Sequence, residues 1–275
     1  MPATEFGNIT SAAPVATGVN DSVVSDAIKI DVWSDVACPW CYVGKRKLEN
    51  GIVEYTAASA DGSAVPVQVE YHSFELSPET PVDFDGSETD FLAQHKGLPP
   101  EQTAQMLERI TGIAESVGLH YDFDALKHTN TVKAHQVIHY AKAHGLQLEM
   151  KERLLKAYFE EGKHVGRDDD LADLAAEVGL DRDDVLRSLQ ADEFLDAVRA
   201  DQAQAIEYGI QGVPFFVFDN KYGVSGAQDA ATFAQVLTQI TGERAAEAAA
   251  DAVFGADADA DADAAADAAG VGEAR

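Results

Sequence analysis

Apolar and polar positions fall into two rhythms along the chain. Over residues 28–33 they alternate, and again over 65–72, where Pro66 marks the start; each run predicts a strand. Between them, from Pro39 towards Ala58, the rhythm is helical, with proline in the first turn where its missing N–H has no partner to lose. Strand, helix and strand of this length imply a right-handed parallel crossover. From about Pro81 to Tyr208 helical spacing takes over. Pro99-Pro100-Glu101 opens a helix running to Gly118, Asn130 opens one closing at Gly145, and residues 146–162 make another. Asp168 starts a helix ending at Gly179, and Asp181 starts a helical pattern that persists to Tyr208. Met150, Leu154, Leu155, Tyr158 and Phe159 form a stripe that reads as core. The strand pattern returns over residues 212–218, turns at Asp219-Asn220-Lys221 and continues over 222–226. A last helix is expected from Asp229 to Gly242.

This order predicts an α/β chain with a thioredoxin fold, its βαβ and ββα halves separated by a large all-helical insertion. Residues 28–76 and 209–242 are expected to form a discontinuous thioredoxin-like domain, and 77–208 the insertion domain. Residues 1–27 are small, polar and aperiodic and read as a mobile arm. Residues 243–275 read as an acidic low-complexity tail, with an Ala-Asp alternation expected to stay disordered.

Charge sharpens the picture. Twenty basic residues face 48 acidic ones, a net charge of −28. The segment from Glu243 onward carries nine acids and two arginines, or −7, leaving −21 on the body. Such a surface repels nucleic acid and anionic membranes. Aspartate outnumbers lysine 28 to 11, a composition suited to a salt-rich cytoplasm and resembling that of haloarchaeal proteins. The first positive side chain is Lys29, so the basic start of a secretory signal is missing, and no apolar run approaches a membrane span. The expected location is the cytoplasm, where cysteines rest mostly reduced.

Cys38 and Cys41 are the only cysteines, two residues apart around Pro39 and Trp40, where a strand feeds a helix N-terminus. Free N–H groups and the helix dipole favour an anion there, so Cys38 is expected to be the more exposed thiol and the readier thiolate. Three readings compete: a redox dithiol, an inert or structural pair, and half of a zinc site. Zinc needs four ligands, no second cysteine pair exists, and the histidine pair four apart on a probable helix, His135 and His139, lies nearly a hundred residues away, so no metal is expected. A CxxC beside a β–α pattern favours redox chemistry. Lys45-Arg46-Lys47, on the same helix, reads either as a solvated face or as an electrostatic aid to a thiolate or an acidic partner.

With these residues the chain resembles the DsbA family of thiol–disulfide oxidoreductases, and within it the FrnE-like branch. The resemblance is carried by Asp35 with Cys38-Pro39-Trp40-Cys41-Tyr42-Val43-Gly44-Lys45, Phe74-Glu75-Leu76-Ser77-Pro78, Asn130-Thr131 with Ala134-His135, and Ala157-Tyr158-Phe159. Gly212-Val213-Pro214-Phe215-Phe216 and Val224-Ser225-Gly226-Ala227-Gln228 complete it, over about residues 28–240. It implies that Val213-Pro214 is a cis-proline element facing the cysteines, where an extended substrate peptide pairs. It implies a dithiol that exchanges disulfides with protein or small-thiol substrates, is recharged by a cellular dithiol reductase or oxidant, and needs no bound cofactor, glutathione being a candidate substrate. The family also holds glutathione-dependent 2-hydroxychromene-2-carboxylate isomerases and kappa-class transferases, the alternative activity; there a serine usually stands at the position of Cys38. His135 reads as a group tuning the thiolate or as a packing histidine. Asp35 reads as an aid to proton transfer at Cys41 or as a cap of the turn. Gly226-Ala227-Gln228 reads as site rim or strand end.

Overall fold

The computed structural model describes residues 4–5, 27–59 and 62–269. The chain first enters the sheet at β1 (Thr4–Glu5), and the alternating run becomes β2 (Ile28–Ser34). Helix α1 (Pro39–Ala58) follows, with Pro39 in its first turn, and β3 (Val67–Ser73) pairs with β2 in parallel, Val32 opposite Tyr71. Then come α2 (Glu88–Lys96), α3 (Pro100–Glu115), α4 (Val132–Ala143), α5 (Gln147–Phe159), α6 (Asp168–Glu177), α7 (Arg182–Gln190) and α8 (Leu195–Glu207). The chain returns to the sheet with β4 (Phe215–Phe218) and β5 (Tyr222–Ser225) and closes on α9 (Ala230–Ala269). The strand order is β1-β5-β4-β2-β3, with β4 antiparallel to both β2 and β5. This is the expected thioredoxin fold with a helical block between its halves.

One sheet face, carrying Ile28, Ile30, Val32, Phe216 and Phe218, packs under α1 and α9 with Leu48, Phe233 and Leu237. The helices touch closely: a Cβ on Gly51 would lie 2.7 Å from both the Ala230 carbonyl oxygen and the Phe233 Cβ. The other face, which alternation marked as polar, is covered by the helical block, and Asp31 is only 4% exposed. Val36, Tyr42 and Val43 belong to the same core as Ile110, Val137, Leu154 and Phe159. The N-terminal turns of α1 are therefore built into the insertion. The predicted stripe at Met150, Leu154, Leu155, Tyr158 and Phe159 is fully buried in that core.

The helical pattern that Asp181 opens persists as two helices, α7 and α8, parted where Asp192 adopts φ 51° and its carboxylate accepts from Lys133 Nζ at 2.8 Å and Gln136 Nε2 at 3.0 Å. Two sequence expectations need correction. The last helix does not stop at Gly242 but runs to Ala269, so the tail expected to be disordered is helical over most of its length. Alanine is the best helix former, and no proline interrupts the run. Within the expected N-terminal arm, Thr4 pairs with Gly223 and Glu5 with Tyr222; its other residues before Ala27, like 270–275, lie outside the described residues.

Candidate active site

β2 delivers the chain to a tight turn at residues 35–37. The Asp35 carboxylate fixes this turn, accepting from the backbone N–H of Ala37 at 3.3 Å and of Leu76 at 2.8 Å. Cys38 then caps α1 and Cys41 lies in its first turn. The Cys38 sulfur lies 3.6 Å from the Val213 carbonyl oxygen, and the Val213–Pro214 bond is cis. Pro214 is seated against Gly44, where a Cβ would come within 2.8 Å of the ring. From the helical block, the Tyr121 hydroxyl donates to the Pro39 carbonyl at 2.7 Å. A cavity of about 250 Å³ opens on this corner, lined by Cys38, Pro39, Trp40, Leu76, Phe91 and Phe123, with Asp35 and His128 among its polar groups. Cys38 lines it and Cys41 does not.

Cys38 was expected to be the exposed member of the pair. It is 3% exposed and Cys41 is 2% exposed, because the Val213 loop and the helical block cover the start of α1. The charge also moves to the other sulfur. The hydrogen bond with Cys41, burial, and the negative charges of Cys41 and Asp35 push the Cys38 thiol well above the usual range. Burial opposes a charge on Cys41 too, but the bond from Cys38, the Lys151 ammonium, the Ser34 hydroxyl and the Asp35 backbone outweigh it and lower that thiol. Where the pair carries a charge, the anion is thus favoured on Cys41.

The structure brings Asp35, Pro39, Trp40, Val213 and Pro214 to the cysteines. His135 is 1% exposed and reaches Asp35, its Nε2 being 3.3 Å from Oδ1. It supports the turn from behind rather than meeting a sulfur. Its imidazole partner, together with the Leu76 and Thr131 bonds, holds the Asp35 carboxyl below its usual range despite complete burial. Gln228 ends the strand, donating to the Ser225 carbonyl at 2.8 Å. The Lys45-Arg46-Lys47 patch is neither solvated nor aimed at the thiols. Lys45, 7% exposed, and Arg46 join α1 to α5 through Glu152, and Lys47 pairs with Asp229 at 2.8 Å.

Three partners of the pair escaped sequence reading: Ser34, Tyr121 and Lys151. Lys151 had a visible signal. It sits three and four residues before Leu154 and Leu155, on the buried face of α5, and is 1% exposed. As for metals, Asp31, Glu70 and His72 place ligand atoms within 4.8 Å of one another. The Lys29 ammonium already bridges Asp31 at 2.9 Å and Glu70 at 3.3 Å, so the cluster is neutralised from within. His139 is tied to Asp201 at 3.0 Å and is not brought to the cysteines.

A CxxC at the start of the first thioredoxin helix, facing a cis-proline loop and roofed by an inserted helical block, defines the DsbA-type class of thioredoxin folds. The model of the DSBA-like thioredoxin domain matches residues 29–238, and the chain belongs to that family. It is 28% identical over 213 residues to the uncharacterized Bacillus subtilis (strain 168) protein YwbO, a match covering 77% of this chain and 96% of YwbO. The probable DsbA oxidoreductase SCO1869 from Streptomyces coelicolor superposes with a TM-score of 0.71 at 36% identity, over 78% of this chain and 91% of that one. The cytosolic disulfide reductase DsbM from Pseudomonas aeruginosa shares the fold, with a TM-score of 0.54 at 16% identity over 77% and 98% of the two chains. Among the described residues no helix is long and apolar enough to cross a membrane.

Proposed function

We propose that this chain is a thiol–disulfide oxidoreductase that exchanges disulfides with protein or small-thiol substrates through Cys38 and Cys41. The observation that carries this reading is the position of Cys38. Of the two sulfurs it alone lines the cavity, and it sits against the Val213 carbonyl, beside the backbone where an extended peptide would pair. In the reduced state Cys38 passes its proton to Cys41 as it attacks a substrate disulfide. The substrate's first sulfur leaves as a thiolate. Cys41 then attacks Cys38 and gives up that proton to the departing sulfur, closing the enzyme disulfide and releasing the second substrate sulfur as a thiol. The reverse sequence oxidises a substrate dithiol. Electrons come only from thiols, so the exchange calls for no metal or bound cofactor, and glutathione is a candidate partner. The Cys-Pro-Trp-Cys-Tyr-Val-Gly-Lys motif supports a place in the FrnE-like branch. The acid excess supports a haloarchaeal source and a salt-rich cytoplasm.

The test incubates two variants with a disulfide peptide and reads them by mass spectrometry. Cys41→Ser should accumulate a persistent mixed disulfide at Cys38, and Cys38→Ser should capture nothing. The isomerase alternative predicts instead that Cys38→Ser keeps or gains glutathione-dependent turnover of a chromene carboxylate. If that turnover appears and Cys41→Ser traps nothing, the oxidoreductase reading is wrong.

A further inference from the structure

Lys151 is an ammonium group sealed in the protein. It is 1% exposed, and among the described residues no carboxylate pairs with it. Its Nζ donates one long bond, 3.4 Å, to the Ser34 carbonyl, and lies 5.5 Å from the centre of the Tyr71 ring. Neither contact neutralises a charge. A buried cation is costly unless an anion meets it. The anion available is the Cys41 thiolate, whose charge Lys151 favours, and the Ser34 hydroxyl, buried with no hydrogen-bond partner among the described residues, is left free to turn towards the same sulfur.

We propose that Lys151 is the counter-cation of Cys41, holding the charge that lands on its sulfur when the Cys38–Cys41 disulfide opens. This rests on reading the two cysteines as an exchanging dithiol. In that reaction a substrate thiolate attacks Cys38, its sulfur bonds to Cys38 Sγ, and the Cys38–Cys41 bond breaks with its electron pair on Cys41. A second substrate thiol then displaces Cys38 and leaves as the substrate disulfide. A substrate dithiol brings two protons. One is shared by the reduced pair, and the other goes to Lys151 where the amine was neutral, or to solvent where it was already charged. Electrons and protons balance without another reagent. A better-stabilised leaving thiolate leaves faster and makes the disulfide a stronger oxidant. Lys151 therefore biases the protein towards oxidising its substrate.

The groups facing this ammonium agree. Burial pulls Lys151 down to about 8, against the charges of Cys41, Asp35 and Cys38, while Lys45 pushes the same way as burial. Asp35 is already committed to His135 and two backbone N–H groups, and Lys45 to Glu49 and Glu152. Opening the disulfide is the event that changes the charge beside Lys151.

The test has two arms. In a Cys38→Ala background, Cys41 is titrated by its thiolate absorbance with Lys151 and with Lys151→Met. The methionine should raise the midpoint by about one pH unit or more, and in the two-cysteine protein should shift the glutathione equilibrium about tenfold towards the disulfide. In the wild-type protein, NMR of isotope-labelled lysine should show Lys151 titrating at lower pH in the disulfide form than in the dithiol form. That arm decides the matter even if the variant folds poorly. A purely structural lysine would lower the melting temperature of Lys151→Met and leave the Cys41 midpoint in place. That result, or one Lys151 titration common to both redox forms, overturns the proposal. If the protein exchanges no disulfides while both titrations shift as stated, the oxidoreductase reading fails and the Lys151–Cys41 assignment stands.

Discussion

His72 Nδ1 lies 2.9 Å from Asp201 Oδ1, tying the edge strand β3 to the last helix of the insertion. The other ring nitrogen is 2.7 Å from Asp31 Oδ1 on β2, and the imidazole stacks on Trp33 at 4.5 Å. Asp201 also meets His139 at 3.0 Å, and Lys29 and Glu70 complete the charged surroundings. Burial opposes the imidazolium, yet Asp201 and Asp31 raise His72 from 6.5 to about 9. A raised histidine stabilises the fold fully below its unfolded value and loses that contribution as pH climbs through its folded one. We expect the unfolding free energy to fall by about 3 kcal/mol between pH 6.5 and 9. His72→Gln should flatten the decline in denaturant titrations across that range. An unchanged slope in the variant would assign the decline elsewhere.

Glu152 makes a second linkage of opposite sign. Despite partial burial, its bonds from Arg46, Lys45 and Tyr42 hold its carboxyl down at about 2. A depressed carboxyl contributes above its unfolded value and loses that contribution as pH falls towards its folded one. Glu152→Gln should therefore cost about 1–3 kcal/mol at neutral pH, and the difference from wild type should vanish in acid. Urea melts at neutral and acid pH test both halves.

Gly44 and Gly112 make a matched pair. Both are helical, but a Cβ on Gly44 meets Pro214 at 2.8 Å and Phe216 at 3.3 Å, whereas one on Gly112 meets nothing within 4 Å. Gly44→Ala should lose about 1–3 kcal/mol through overpacking and slow disulfide exchange by displacing Pro214 from Cys38. Gly112→Ala should gain about 0.5–1 kcal/mol from helix propensity alone. Melting temperatures and exchange rates of the two variants provide the comparison.

The net charge of −28 predicts a strong response to salt. The screening length shortens from about 10 Å at 0.1 M to about 3 Å at 1 M, so repulsion among surface carboxylates fades. The melting temperature should rise substantially from low salt to molar potassium chloride. Removing the residues after Gly242 should reduce that rise only in part, since the body keeps −21. A melting curve indifferent to salt would refute the halophilic reading.

Much of this architecture was legible in the order of rhythms, because a strand and a helix differ in period whatever covers them. The meeting of Val213-Pro214 with Cys38 followed from family resemblance, since residues 175 apart share no local signal. What stayed hidden depended on coverage. Lys29, Asp31 and His72 looked like the wet side of a strand until the insertion was laid over them. Lys151 carries no motif of its own, although its spacing from Leu154 and Leu155 places it on the buried side. The exposure of Cys38 was misjudged for the same reason: position at a helix start sets its N–H neighbours, while its access is set by loops far away in sequence. A repetitive Ala-Asp composition reads equally as disorder or as helix, and α9 forms because alanine favours the helix.

The interrupted sheet has a consequence for the newborn chain. β2 lies between β3 and β4, and its register with β4, Val32 opposite Phe216, waits until the insertion has been synthesised. At ordinary ribosomal speeds that interval is on the order of ten seconds. During it β2 has one open edge, and both thiols lack the Val213–Pro214 loop that later covers them. The helices of the insertion have local contacts and can gather their own core meanwhile. A nascent chain stalled before Phe215 should therefore be alkylated readily at Cys38 and Cys41. The finished chain should resist, so the dithiol becomes a guarded site only when the C-terminal half docks.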